Sequence, residues 1–221
     1  GQVMVFSGAD RDEVVLPGSG SPILQTELFD PATETWSPMA VQHNPRTYHN
    51  TAMLLPDGRV LVGGHSPINT GYAFSLDLTA LGLSPNQGRD PSFEIYSPPY
   101  VFGDRPEIGL APTRAAHGEV FSISSSDAGD IVEMVLVRRT TLTHIIDGDQ
   151  RSVVLPIVSR NNNTLSVKMP TQKAVLPPGA YMLFAISEKN GKRVPSVSSP
   201  VRVTGADSQC TAPAATSLVS R

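Results

Sequence analysis

Cysteine is almost absent. Cys210 is the only one in 221 residues, and it lies in a small, polar C-terminal stretch. A single thiol excludes a disulfide framework and any zinc site built on cysteines. Charge is scarce too: Asp, Glu, Lys and Arg make up 17% of the chain, and the net charge is -3. That leaves nucleic acid no electrostatic footprint, and 39% hydrophobic residues exclude a disordered acidic or basic tail. Long apolar runs are missing as well. A stretch such as Ala52–Leu55 is far too short to span a bilayer. No targeting pattern is visible, and the chain opens at Gly1 in what already reads as a strand. The sequence therefore reads as a piece of a longer chain.

Turn chemistry is what abounds. The 20 prolines and 18 glycines disfavour long helices and point to a turn-rich, all-β protein. Gly1–Ala9 reads as a strand, and Leu24–Pro38 as two short strands around Asp30-Pro31, the second carrying Trp36. Arg46–Pro67 reads as two strands flanking Pro56-Asp57-Gly58, because Asp-Gly supplies the positive φ of a tight hairpin. These pieces recur. VMVFSG at Val3 answers VLVGG at Val60, and ELFDP at Glu27 answers FEIYSP at Phe93. The offsets are about sixty residues, somewhat above the roughly 50 of a kelch blade. Residues 1–104 are thus expected to be the C-terminal blades of a kelch-type β-propeller. Closure takes roughly four to eight blades, so the others are expected N-terminal to Gly1. The excess in the second unit, Ser66–Pro91, is expected to be a rim loop.

From Arg105-Pro106 the pattern changes. Pro106–Leu110, Glu119–Ser124, Ile131–Arg138, Ser152–Ile157, Thr164–Met169, Tyr181–Ser187 and Ser196–Val203 read as short strands at sandwich spacing. Residues 105–204 are expected to form an immunoglobulin-like β-sandwich, and 205–221 a flexible tail. In Tyr181–Ser187, Met182, Phe184 and Ile186 are the more apolar set and are expected to be buried.

Five histidines could carry chemistry, and none has a tight metal spacing. His43, His65 and His117 read as surface or packed residues. Tyr48-His49 stands at the mouth of a strand. Neighbouring strand residues point to opposite faces, so this pair can meet one metal only at a bend or strand end, which Asn44-Pro45 permits. His144 sits in TTLTHIIDGDQR, near a hairpin tip that could reach another domain. On residue types alone, a metal site and ordinary packed histidines both stay open.

RTYHNTAMLLPDGRVLVGG, RPEI, TTLTHIIDGDQR, LPPGAYMLFAIS and VPSVSSPVRV follow one another in that order. Together, from about Gly1 to Thr204, they closely resemble the C-terminal portion of the galactose oxidase and glyoxal oxidase family, the copper radical oxidases. The resemblance implies that Tyr48 is an axial copper ligand and the catalytic base, and that His49 and His144 are copper ligands. Imidazole nitrogens suit Cu(II). His49 and His144 are then expected to converge on one point from two domains. The family's radical cofactor, a tyrosine cross-linked to a cysteine, is expected only in the missing N-terminal part, since Cys210 falls in the tail.

The implied reaction oxidises a primary alcohol or aldehyde with O2 to give hydrogen peroxide, with Tyr48 taking the substrate proton. This chain alone is expected to be inactive. The implied partners are a small-molecule alcohol, aldehyde or carbohydrate, O2 and the missing blades, with neither nucleic acid nor membrane. The implied location is extracellular. The alternative is a non-catalytic kelch plus immunoglobulin-like module that binds carbohydrate or protein, which has no reason to keep Tyr48, His49 and His144 together.

Overall fold

The computed structural model describes residues 1–10, 22–47, 49–64, 91–143, 146–189 and 191–205. Among these residues the regular structure is entirely β, apart from a 3-10 turn at Pro99–Phe102. In the N-terminal part, β1 (Val3–Val5), β2 (Gln25–Asp30) and β3 (Thr35–Val41) form one antiparallel sheet. A second consists of β4 (Thr51–Leu54), β5 (Val60–Gly63) and β6 (Phe93–Tyr96). The repeat is visible in the pairing. Val3 faces Phe29 as Val60 faces Tyr96, so β1 answers β5 and β2 answers β6. β3 has no counterpart after β6, where Pro98 and Pro99 lead into the 3-10 turn instead.

The β4–β5 connection is the tight turn that Pro56-Asp57-Gly58 announces. Leu55 N–H donates to Arg59 O at 2.8 Å, and Gly58 N–H returns to Leu55 O at 2.9 Å. The Asp57 carboxylate accepts from Arg59 N–H at 3.0 Å and holds the corner. Gly58 has φ +84°, a value that favours glycine.

The C-terminal part is a two-layer sandwich. Its larger sheet orders β12 (Ser152–Leu155), β9 (Ile131–Arg138), β15 (Gly179–Lys189), β17 (Ser199–Thr204) and β7 (Arg114–Ala116), with β16 (Lys192–Pro195) also on β15. The smaller sheet orders β13 (Ile157–Asn161), β14 (Thr164–Lys168) and β8 (Val120–Ser124). A two-stranded ribbon, β10 (Leu142–Thr143) with β11 (Ile146–Asp147), lies in sequence between β9 and β12. One continuous core of alternate apolar residues fills the space between the sheets, including Ile123, Met134, Leu136, Leu165, Val167 and Leu183.

Several expectations need correction. Ser152–Ile157 is not one strand. It ends at Leu155, and the chain crosses to the other sheet at Pro156, which has no N–H to offer a ladder. Pro106–Leu110 forms no strand; Leu110 makes only an isolated bridge to Ser124. In β15 the core set is Tyr181, Leu183 and Ala185. Met182 and Phe184, on the opposite face, are buried as well, while Ile186 is only half-buried. Tyr181 can take the core side because its hydroxyl donates to Pro177 O at 2.8 Å, four residues back, as in the tyrosine corner of sandwich folds.

Candidate metal centre

His49 stands just ahead of β4, at a bend rather than within the strand. Its φ is +50°, in the left-handed region that non-glycine residues seldom occupy. Such an outlier is held only when its surroundings over-determine it, and it marks a position worth explaining by function. The bend is the condition under which adjacent Tyr48 and His49 side chains can serve one centre. Across the hairpin, Thr51 pairs with Gly63, so His49 lies opposite the end of β5. There Gly64 has φ +75°, and a Cβ on it would sit 3.0 Å from His49 O. The two chains approach this closely only because position 64 is glycine. The His49 Nε2 atom is shut off from solvent.

Arg46 and Glu94 fix the segment leading into this bend. The Arg46 side chain is completely buried. Its Nη1 donates to Ser92 O and its Nη2 to Ser92 Oγ, both at 3.0 Å, and Nη2 lies 3.5 Å from Glu94 Oε1. Arg46 O in turn accepts from Gly8 N–H and Asn50 Nδ2, both at 2.9 Å, which ties this segment to the first sheet. Glu94, on β6, accepts from the backbone N–H groups of His43 at 2.9 Å and Asn44 at 3.0 Å. Burial pushes its carboxyl up, but these donors, the His43 ring and the Arg46 guanidinium together hold it below the usual carboxylate range.

The ribbon that bears His144 is anchored at its base. Thr143 pairs with Ile146, and the two residues that connect them lie outside the described residues. At the end of β9, Arg138 forms an ion pair with Asp149 just past the ribbon. The same guanidinium donates to Tyr181 Oη at 3.0 Å and to the carbonyls of Pro177 and Pro178 at 3.2 Å. Past the ribbon, Arg151 Nη1 donates to Ala174 O at 2.5 Å. Both ends of the 139–150 segment are thereby fastened to the loop that enters β15.

Of the three expected ligands, His49 is described, whereas Tyr48 and His144 lie outside the described residues. His65, Cys210 and nearly all of Ser66–Pro91 also lie outside them. His43 bonds Glu94 from an exposed position, and the His117 ring nitrogen Nε2 bonds Leu176 O at 2.7 Å. Each ring is thereby engaged in a hydrogen bond within the protein. Among the described residues no three His, Cys, Asp or Glu side chains gather as metal ligands. The expected donor set is two imidazoles and a phenol, which suits Cu(II), and His49 contributes a solvent-shielded ring nitrogen at a strained bend. The chemistry of that expected set is compatible with a copper ion, and of its members His49 is the one among the described residues. Sequence reading missed Arg46, Glu94 and Arg138, which shape the surroundings of the site.

Fold and site define an all-β protein in which a sheet of hairpin strands, with a histidine at its edge, adjoins an immunoglobulin-like sandwich. Residues 105–203 match the galactose oxidase-like Early set domain. The chain is 29% identical over 204 residues to a galactose oxidase of Gibberella zeae, covering 90% of this chain and 27% of that protein. To the aldehyde oxidase GLOX of Vitis pseudoreticulata it is 31% identical over 205 residues, covering 85% of this chain and 37% of that one. In three dimensions it is similar to a fungal alcohol oxidase in complex with copper. The TM-score is 0.72 at 28% identity, over 92% of this chain and 40% of that chain. The chain thus spans well under half the length of the relatives it matches.

Proposed function

We propose that this chain is the C-terminal part of a copper radical oxidase that converts a primary alcohol or aldehyde, with O2, into the more oxidised carbonyl product and hydrogen peroxide. The observation that carries the reading is the extent of the likeness. It covers 92% of the chain against a copper-bound alcohol oxidase, far more than the Early set domain alone spans. On this reading the N-terminal sheets are parts of kelch-type propeller blades. The exposed Val3, Val5, Phe93 and Ile95 support it, because a blade buries its faces only against neighbours. The other blades and the Tyr–Cys radical cofactor belong to the length of the relatives that this chain does not span. On the same reading the enzyme works outside the cell.

Tyr48, His49 and His144 would hold the copper, which supplies one-electron redox chemistry and polarises a bound hydroxyl. Tyr48, as its phenolate, would take the substrate hydroxyl proton and become the neutral phenol, acting as general base. The Arg46–Glu94 pair holds the chain that presents Tyr48 and His49.

The test is peroxide release by the intact, copper-loaded protein offered primary alcohols, aldehydes and galactose. Peroxide that appears with substrate and disappears on copper removal supports the reading. A protein that takes up copper yet yields no peroxide from any of them would leave the carbohydrate- or protein-binding module in its place.

A further inference from the structure

The blade and the sandwich meet at one guanidinium. Arg105 Nη1 donates to Asp57 O at 2.7 Å, on the β4–β5 turn. Its Nε donates to Pro195 O at 2.7 Å and its Nη2 to Ser196 O at 2.6 Å, both on the sandwich. Beside it, Ser198 N–H donates to Pro56 O at 2.9 Å. Tyr100 closes the turn from the other side. Its hydroxyl donates to Gly58 O at 2.5 Å, and its ring lies 5.7 Å from the Arg105 guanidinium carbon. A Cβ on Gly58 would come within 3.0 Å of Arg105 Nη2 and 3.1 Å of the Tyr100 ring, so any side chain there would press on the clamp.

Both ends of this clamp are firm. On the blade side the grip falls on a turn already closed by its own hydrogen bonds. On the sandwich side Ser196 is fully buried. Its N–H donates to Ala185 O at 2.8 Å, and its Oγ accepts from Ala185 N–H at 3.0 Å. Ala185 belongs to β15, the central strand. Each Arg105 acceptor is met by a different nitrogen of the guanidinium, a demand that a planar fork meets and a single lysine ammonium does not.

We propose that Arg105 is a positioning residue, locking the blade that carries His49 to the sandwich that carries His144 and so setting the affinity and geometry of the metal they share. The inference rests on the copper reading above. A metal bridging two bodies binds more tightly when the bodies are already docked, and by reciprocity the metal stabilises their docking.

The experiment compares the intact wild-type protein with Arg105→Ala and Arg105→Lys. Three quantities are read: copper affinity by chelator competition, the Cu(II) electron paramagnetic resonance spectrum, and unfolding by calorimetry. In Arg105→Ala the expected results are an altered Cu(II) spectrum, copper affinity lower by about 5- to 150-fold, and separate unfolding of the sandwich. Arg105→Lys keeps the charge and most of the stability, so its copper affinity falls between the two. If Arg105→Ala misfolds, Arg105→Lys and Tyr100→Phe carry the comparison. Wild-type copper affinity with an unchanged spectrum in folded variants overturns the proposal. A wild-type protein that binds no copper overturns the underlying reading instead, and separate sandwich unfolding in Arg105→Ala would still establish the clamp.

Discussion

Tyr48 and His49 are adjacent, yet the account gives them different work, and single substitutions separate the two. Tyr48→Phe removes only the phenol oxygen, and two imidazoles remain to hold the metal. The variant should keep its copper while turnover falls steeply, since losing a general base costs about 10²–10⁴-fold. Copper content measured beside peroxide production checks this. Near-normal turnover with copper in place would remove Tyr48 from the role of base. The left-handed φ of His49 belongs to the same scale. Histidine is among the residues that tolerate that region, and Gly64 leaves its carbonyl room.

At the scale of elements, the segment from Gln42 to Asn50 has no ladder of its own, and its order comes from a strand some fifty residues on. Glu94 on β6 accepts both backbone donors at 43 and 44 and faces the exposed His43 ring and the buried Arg46 guanidinium. Its folded pKa lies below the ordinary value of 4.5. A carboxylate of this kind contributes stability that is fully present above the unfolded pKa and is lost as pH falls through the folded one. Melting the wild type and Glu94→Gln from about pH 7 down to about pH 3 should therefore show a gap that is widest at neutral pH and closes with acid. A gap independent of pH would mean that Glu94 acts by packing alone. Strand patterning was legible where alternation and turn residues agree. Ile131–Arg138 appears with the bounds read from sequence, and Pro56-Asp57-Gly58 makes its turn. Arg114–Ala116 was not legible, because its three residues carry no strand signal and become a strand only by parallel pairing with β17. The candidate ligands were legible only through motif order. Arg46 and Arg105 were not, since what buries or fixes each guanidinium is a carbonyl 46 or 91 residues away.

At the scale of the whole molecule, two bodies of different architecture share one proposed centre. The β4–β5–β6 sheet carries His49 at a bend at one end of its β4–β5 hairpin, and the turn at the other end is clamped to the sandwich by Arg105. The sandwich carries the β10–β11 ribbon, held at its base by Arg138 and Arg151. The central claim is that one copper takes an imidazole from each body. The most direct measurement is pulsed electron paramagnetic resonance of the Cu(II) form of the intact protein, counting coordinated imidazoles in the wild type, His49→Ala and His144→Ala. The account predicts two imidazoles in the wild type and, in each variant, a single one or loss of the metal altogether. Two imidazoles still coordinated in either variant would contradict it.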